Sequence, residues 1–145
     1  MPVQLIEQEK ILGCRILAID DEEANVLLLR NLLQREGYTD VHCLTDPTEA
    51  LKTYIDIEPD LVLLDLMMPE VDGFQLLEAF SRHDAADEFR PVLVLTADTT
   101  IQARRKALAL GAKDFVSKPF DVIEVGLRIS NLLETRLLYE RIREG

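Results

Sequence analysis

The chain has 145 residues, 48% of them hydrophobic and 30% charged, which suits one ordinary packed domain and excludes a disordered chain. Its 16 basic and 27 acidic residues leave a net charge of −11, which argues against nonspecific binding of nucleic acid or an anionic membrane. Cys14 and Cys43 are too few and too far apart for a disulfide framework or a zinc site, and read as two buried thiols in a reducing compartment. The N-terminus alternates apolar and charged residues without the apolar stretch of a signal peptide. No run approaches the ~20 apolar residues needed to span a bilayer. A soluble, cytoplasmic protein is expected.

Arg15 to Asp20 (RILAID) is the first predicted strand. Glu22 to Glu36 has helical spacing, with Val26, Leu29 and Leu33 on one side and Gly37 as its stop. Val41 to Thr45 is a second, weaker strand. Asp46-Pro47 reads as an N-cap with proline at the first helical position, opening a helix to about Asp56. Asp60 to Asp65 (DLVLLD) is a third strand, apolar throughout its middle as a strand buried on both faces should be. Pro69 to Gly73 is a turn, and Phe74 to Ser81 a helix with Phe74, Leu77 and Phe80 inward. Arg82 to Arg90 reads as a loop whose Asp84, Asp87 and Glu88 form a solvated surface. Pro91 to Thr96 is a fourth strand, Thr100 to Leu110 a helix stopped by Gly111, and Ala112 to Val116 a fifth strand. Asp121 opens a long final helix.

Five strands alternating with helices predict an α/β domain built on a mainly parallel, doubly wound sheet with helices on both faces. Ligands in such folds bind beyond the carboxyl ends of the strands. Asp20-Asp21 end the first strand, Asp65 the third and Thr96 the fourth, while Lys118-Pro119 follow the fifth. A lone aspartate at a strand end is more often a cap or turn residue. Four segments that bring three carboxylates, a hydroxyl and an ammonium to one edge form a joint pattern. Converging carboxylates repel unless a cation relieves them, and Mg²⁺ is a hard ion suited to carboxylates, waters and phosphate oxygens. A carboxylate can also attack phosphorus to give an aspartyl phosphate, with Lys118 and Thr96 stabilising the transferred group.

The chain resembles the receiver domains of two-component response regulators. The resemblance rests on LAIDDEEAN at 17–25, LVLLDLMMPEVDGFQLL at 61–77, VLVLTAD at 92–98 and GAKDFVSKPF at 111–120, and covers roughly residues 14–130. It implies the flavodoxin-like fold with strand order 2-1-3-4-5, the order for which a chemotaxis regulator is the standard example. It implies that Asp65 accepts the phosphoryl group, and that Asp20, Asp21, Asp65 and the backbone carbonyl of Met67 hold Mg²⁺. Thr96 corresponds to the switch hydroxyl, Phe115 to an aromatic that changes rotamer with it, and Lys118 to the lysine on the phosphoryl oxygens, followed by a cis proline bond. The implied partner is a sensor histidine kinase or phosphotransfer protein, with no direct binding of nucleic acid or membrane by this chain. Met67 and Asp98, two residues after the acceptor and the switch Thr, flank the site and depart from the commonest pattern. Phe115 lacks a tyrosine's hydroxyl. His42 and His83 have no second ligand at metal spacing and read as structural or solvated.

The final helix, Asp121 to about Arg143, is expected to be ~35 Å long. Val122, Val125, Ile129, Leu132, Leu133 and Leu137 fall in one sector of about 140°, while Leu127, Leu138 and Ile142 lie on the far side. That second face predicts a homodimer through this helix. Three units are expected: an N-terminal extension at 1–13, the receiver at 14–130, and an extended helix or linker at 131–145. Leu5, Ile6, Ile11 and Leu12 could form a short amphipathic helix at the same interface. The segment LLETRLLYERIRE resembles linkers that lead into an HD-GYP phosphodiesterase or a diguanylate cyclase. No enzymatic turnover beyond acceptance and slow loss of the phosphoryl group is expected of the chain itself. A Mg²⁺-dependent aspartyl-nucleophile phosphatase of the haloacid-dehalogenase kind would need an aspartate where Met67 stands. A flavodoxin-like cofactor binder would need a Ser/Thr/Gly-rich phosphate loop where Asp20-Asp21-Glu22-Glu23 stand.

Overall fold

The structure is a computed structural model that describes residues 8–144. Five strands, β1 (Arg15–Ile19), β2 (Asp40–Leu44), β3 (Leu61–Leu64), β4 (Val92–Thr96) and β5 (Asp114–Ser117), form one parallel sheet in the order β2-β1-β3-β4-β5. Between and around them run α1 (Gln8–Leu12), α2 (Glu23–Glu36), α3 (Ala50–Ile57), α4 (Gly73–His83), α5 (Ile101–Ala109) and α6 (Val122–Glu144). The two-residue period of the strands divides the core. Ile16, Ala18, Leu61, Leu63, Leu93 and Leu95 face one way, against Leu29 and Leu33 of α2 and Val125, Ile129 and Leu133 of α6. Leu17, Ile19, Val62, Leu64, Val92 and Val94 face the other, against Tyr54 of α3, Leu77 and Phe80 of α4 and Ala107 of α5.

The helix boundaries follow local chemistry. Asp46, Asp72 and Thr100 cap their helices through side-chain oxygens that accept the N–H of Thr48, Phe74 and Ala103. Asp121 does the same for α6, accepting from Ile123 at 2.8 Å. Gly37 and Gly111 turn the chain with φ of +100° and +115°. The helix after Pro47 opens with a 3₁₀ turn, Pro47–Glu49, before α3.

Several expectations shift by a residue or two. β2 starts at Asp40, which pairs in register with Arg15 and accepts its Nε–H at 2.9 Å. β5 starts at Asp114, after Gly111 has turned the chain and Lys113 has donated to the carbonyl of Val92. α4 runs on to His83, with Leu76 buried and Phe74 only half-buried. Cys14 is buried, but Cys43 on the edge strand β2 is half-buried. The loop before β4 is not a solvated surface throughout. Asp84 accepts the Tyr54 hydroxyl at 2.5 Å, and Glu88 accepts from Arg90 at 2.6 Å, while Asp87 stays exposed. On α6, Val122 is exposed and Leu138 is half-buried against the core, so the expected second apolar face reduces to Leu127 and Ile142, with Ile123 beside them. Ile11 of the N-terminal segment is buried in the core, while Leu5 and Ile6 lie outside the described residues.

Candidate functional site

Asp20 and Asp65 directly follow the buried strands β1 and β3 at the carboxyl edge of the sheet, where the Asp20 N–H donates to the Leu44 carbonyl at 3.2 Å and the Asp65 N–H to the Ile19 carbonyl at 3.1 Å. At that edge Asp20, Asp21 and Asp65 offer carboxylate oxygens that all lie within 4.8 Å of one another. Asp20 is 2% and Asp65 7% exposed, so water cannot dissipate their repulsion. Local donors hold the carboxylates in place. Asp20 Oδ1 accepts the N–H of Glu22 at 3.0 Å, and Asp65 Oδ1 that of Met67, also at 3.0 Å. Lys118 bridges the two with its Nζ, 2.7 Å from Asp20 Oδ2 and 3.2 Å from Asp65 Oδ2. The Lys118–Pro119 bond is cis, and the Lys118 N–H donates to the carbonyl of Thr96 at 2.8 Å.

Burial pushes the Asp65 carboxyl above its ordinary range. The Met67 N–H and the Lys118 ammonium oppose that rise, and the charge of Asp20 adds to it. Burial alone would lower the Lys118 pKa. The hydrogen bond and charge of Asp20, together with those of Asp65, outweigh it and hold the ammonium charged. The site therefore carries three carboxylates against one cation, a donor set that fits a hard divalent ion among oxygens.

The remaining predicted residues surround this centre. Thr96 is fully buried at the end of β4, its Oγ1 accepting weakly from the Asp98 N–H at 3.4 Å. Phe115 packs into the core on the α4/α5 side of the sheet, with the Arg104 guanidinium 5.8 Å from its ring centre. Met67 is exposed at the mouth. A cleft of about 560 Å³ opens over Asp65 and Lys118, lined also by Glu22, Asn25, Met67 and Phe120. Glu22, Asn25 and Phe120 were not singled out by sequence. Their signal is position alone: Glu22 follows the acidic pair, Asn25 stands one turn further on, and Phe120 follows the Lys-Pro. Gly73 is fitted to the site, because a Cβ there would lie 2.6 Å from Leu66 Cα and 3.1 Å from the Asp65 carbonyl. Only glycine lets α4 start this close to the strand that carries Asp65.

The family model described as "Response regulator receiver domain" matches residues 16–130, and the chain belongs to that family, a component of two-component systems. Among curated relatives it is 35% identical over 129 residues to the regulatory protein AtoC of Escherichia coli, covering 89% of this chain and 27% of that protein. It is 40% identical to the regulator RpaA of Synechocystis over 82% of this chain and 48% of that one. With the response regulator PleD of Caulobacter vibrioides it shares 35% identity over 92% of this chain and 29% of that one. The chain thus spans half or less of the length of these relatives. Among solved structures, the chemotaxis protein CheY4 of Vibrio cholerae matches with a TM-score of 0.75 and 27% identity, covering 83% of this chain and 98% of that one. The receiver domain of Francisella response regulator 1452 matches with a TM-score of 0.75 and 26% identity over 85% and 98%.

Proposed function

We propose that this receiver domain accepts a phosphoryl group on Asp65 from a phosphohistidine of a sensor kinase or phosphotransfer protein, acts in the cytoplasm, and switches its surface in response. The observation that carries this reading is the Lys118 ammonium bridging Asp20 and Asp65 beneath an open cleft. Asp20, Asp21, Asp65 and the backbone carbonyl of Met67 are the groups proposed to hold Mg²⁺, which when bound supplies positive charge to the incoming phosphoryl oxygens. The chain's own residues do the rest. An Asp65 oxygen attacks phosphorus as the bond to the donor's imidazole nitrogen breaks, and the electron pair of that bond leaves with the imidazole. Lys118 turns its charge from the carboxylates to the phosphoryl group, and the Thr96 hydroxyl donates to a phosphoryl oxygen. Water later hydrolyses the acyl phosphate and returns the carboxylate.

Phe115 is proposed to respond to the movement of Thr96: Phe115 on β5 pairs with Val94 on β4, two residues before Thr96. The output is proposed to be pairing of α6 with a second copy, tightened by phosphorylation as far as the paired form fits the phosphorylated surface better. The most exposed apolar residues of α6 available for it are Ile123, Leu127 and Ile142. Met67 in place of a second aspartate leaves no general acid there for a phosphatase of the aspartyl-nucleophile type. The test is intact-mass analysis after incubation with Mg²⁺ and acetyl phosphate. The wild type gains one phosphoryl group and Asp65→Asn gains none; equal labelling of both would overturn the assignment.

A further inference from the structure

The edge of the sheet opposite the acidic site carries a second polar assembly, and α6 is fastened to it. Arg136 stands in the distal half of α6 and is only 5% exposed. Its Nε donates to Asp60 Oδ1 at 3.2 Å, and its Nη1 to the carbonyl of Phe89 at 3.1 Å and to Glu140 Oε1 at 2.6 Å. Asp60 is a shared anchor. Its Oδ2 accepts the Arg15 N–H at 2.8 Å, and its own N–H donates to the Arg15 carbonyl at 2.8 Å. The helix is therefore tied to the point where β1 and β3 begin. Further along, Tyr139 stacks on Phe89 with ring centres 4.9 Å apart, and Arg143 reaches Asp87 at 3.2 Å.

A leucine at position 136 would pack on the same face as Val125, Ile129 and Leu133 without any desolvation cost. Buried ion pairs are poor stabilisers and better at fixing position. The planar guanidinium reaches Asp60 and the Phe89 carbonyl outside the helix and Glu140 within it, in a rigid fork that the ammonium of a lysine on its flexible stem does not preset. This contact also covers apolar groups, since Leu132, Leu137 and Leu138 are half-buried against the body of the domain.

We propose that Arg136 is a clasp that holds the distal half of α6, Leu132 to Glu144, against the receiver, and that it keeps Leu137 and Leu138 masked until it opens and the helix pairs with a second copy of the chain. The masking clause rests on the reading of α6 as a pairing helix; the clasp does not. A second copy is the occupant of matching chemistry. The segment carries Glu134, Glu140 and Glu144 against Arg136, Arg141 and Arg143, so two such helices can exchange ion pairs along an apolar seam.

Amide hydrogen exchange and sedimentation velocity on the full chain test the two clauses separately. In the wild type, residues 137–144 exchange slowly and the unphosphorylated protein sediments as a monomer at micromolar concentration. In Arg136→Gln, the same residues exchange about tenfold faster or more, the chain self-associates, and adding Leu138→Glu returns it to a monomer. Phosphoryl uptake at Asp65 reports that the rest of the domain stays folded. Tyr139→Ala, which removes only the partly exposed stacking partner of Phe89, gives a milder release should Arg136→Gln unfold. Equal exchange in wild type and variants overturns the clasp. A released but monomeric helix overturns the masking and leaves the clasp standing.

Discussion

Asp65 is built to be uncomfortable as a bare carboxylate. It is nearly enclosed, lies beside Asp20, and has one cation shared between the two. Because its folded-state pKa is raised, the folded protein binds a proton at pH values where the unfolded chain does not. The charged form therefore costs stability at neutral pH, and the cost fades as pH falls through the raised value toward the ordinary carboxylate range. Asp65→Asn removes that cost. In denaturant melts between roughly pH 4 and 8 without divalent metal, the Asn variant is expected to be the more stable at neutral pH, and the gap to close on acidification. Mg²⁺ should close the gap too, by stabilising the wild type more than the variant. A gap independent of pH would rule out this account of Asp65. These residues were readable only together, because four segments bring acids, a hydroxyl and an ammonium to successive strand ends, where each alone reads as a cap or turn residue. Arg136 was not, since an arginine in a charged helix reads as solvated. The sign of its burial was its spacing, three residues beyond Leu133 and seven beyond Ile129 on one helical face.

At the scale of elements, the strands were legible and their ends less so. β3 is apolar on both faces, as a short strand covered from both sides should be, whereas the starts of β2 and β5 depend on partners distant in sequence, Arg15 and Val92. The entry to α4 shows how closely an element is fitted to the site. A Cβ on Gly73 meets backbone, Leu66 Cα at 2.6 Å, and cannot be accommodated by a side-chain rotation. Gly126 in α6 offers a contrast, because among the described residues a Cβ there meets only the flexible Glu36 carboxylate, at 3.2 Å. Gly73→Ala is expected to cost about 1–3 kcal/mol and to slow phosphoryl uptake by shifting the loop that carries Met67. Gly126→Ala should be neutral or gain up to about 1 kcal/mol from helix propensity. Urea melts of both variants check this, and equal effects would show that the close approach at Gly73 is not what requires glycine.

For the whole molecule, α6 decides where the domain ends. It runs unbroken from Val122 to Glu144, so position 130 lies inside a helix that contributes Val125, Ile129, Leu133 and Arg136 to the buried set. The division of the chain at 130/131 is a proposal about function, between receiver and output helix. Pairing of α6 with a second copy is tested by sedimentation of the full chain with and without acetyl phosphate and Mg²⁺. Phosphorylation should move the wild type toward a dimer at micromolar concentration, and Leu127→Glu with Ile123→Glu should weaken that dimer by tenfold or more, about 1.4 kcal/mol. A phosphorylated wild type that stays monomeric would sink this reading of α6. One last property follows from the bond between Lys118 and Asp20, which joins residues 98 positions apart. Loop closure over such a span is slow and costly, and native partners must be in place on both sides before it is repaid. During synthesis the aspartates at the ends of β1 and β3 emerge long before their lysine does. In a nascent or half-folded chain these carboxylates stand without their counter-charge until β5, which leads into Lys118, has docked.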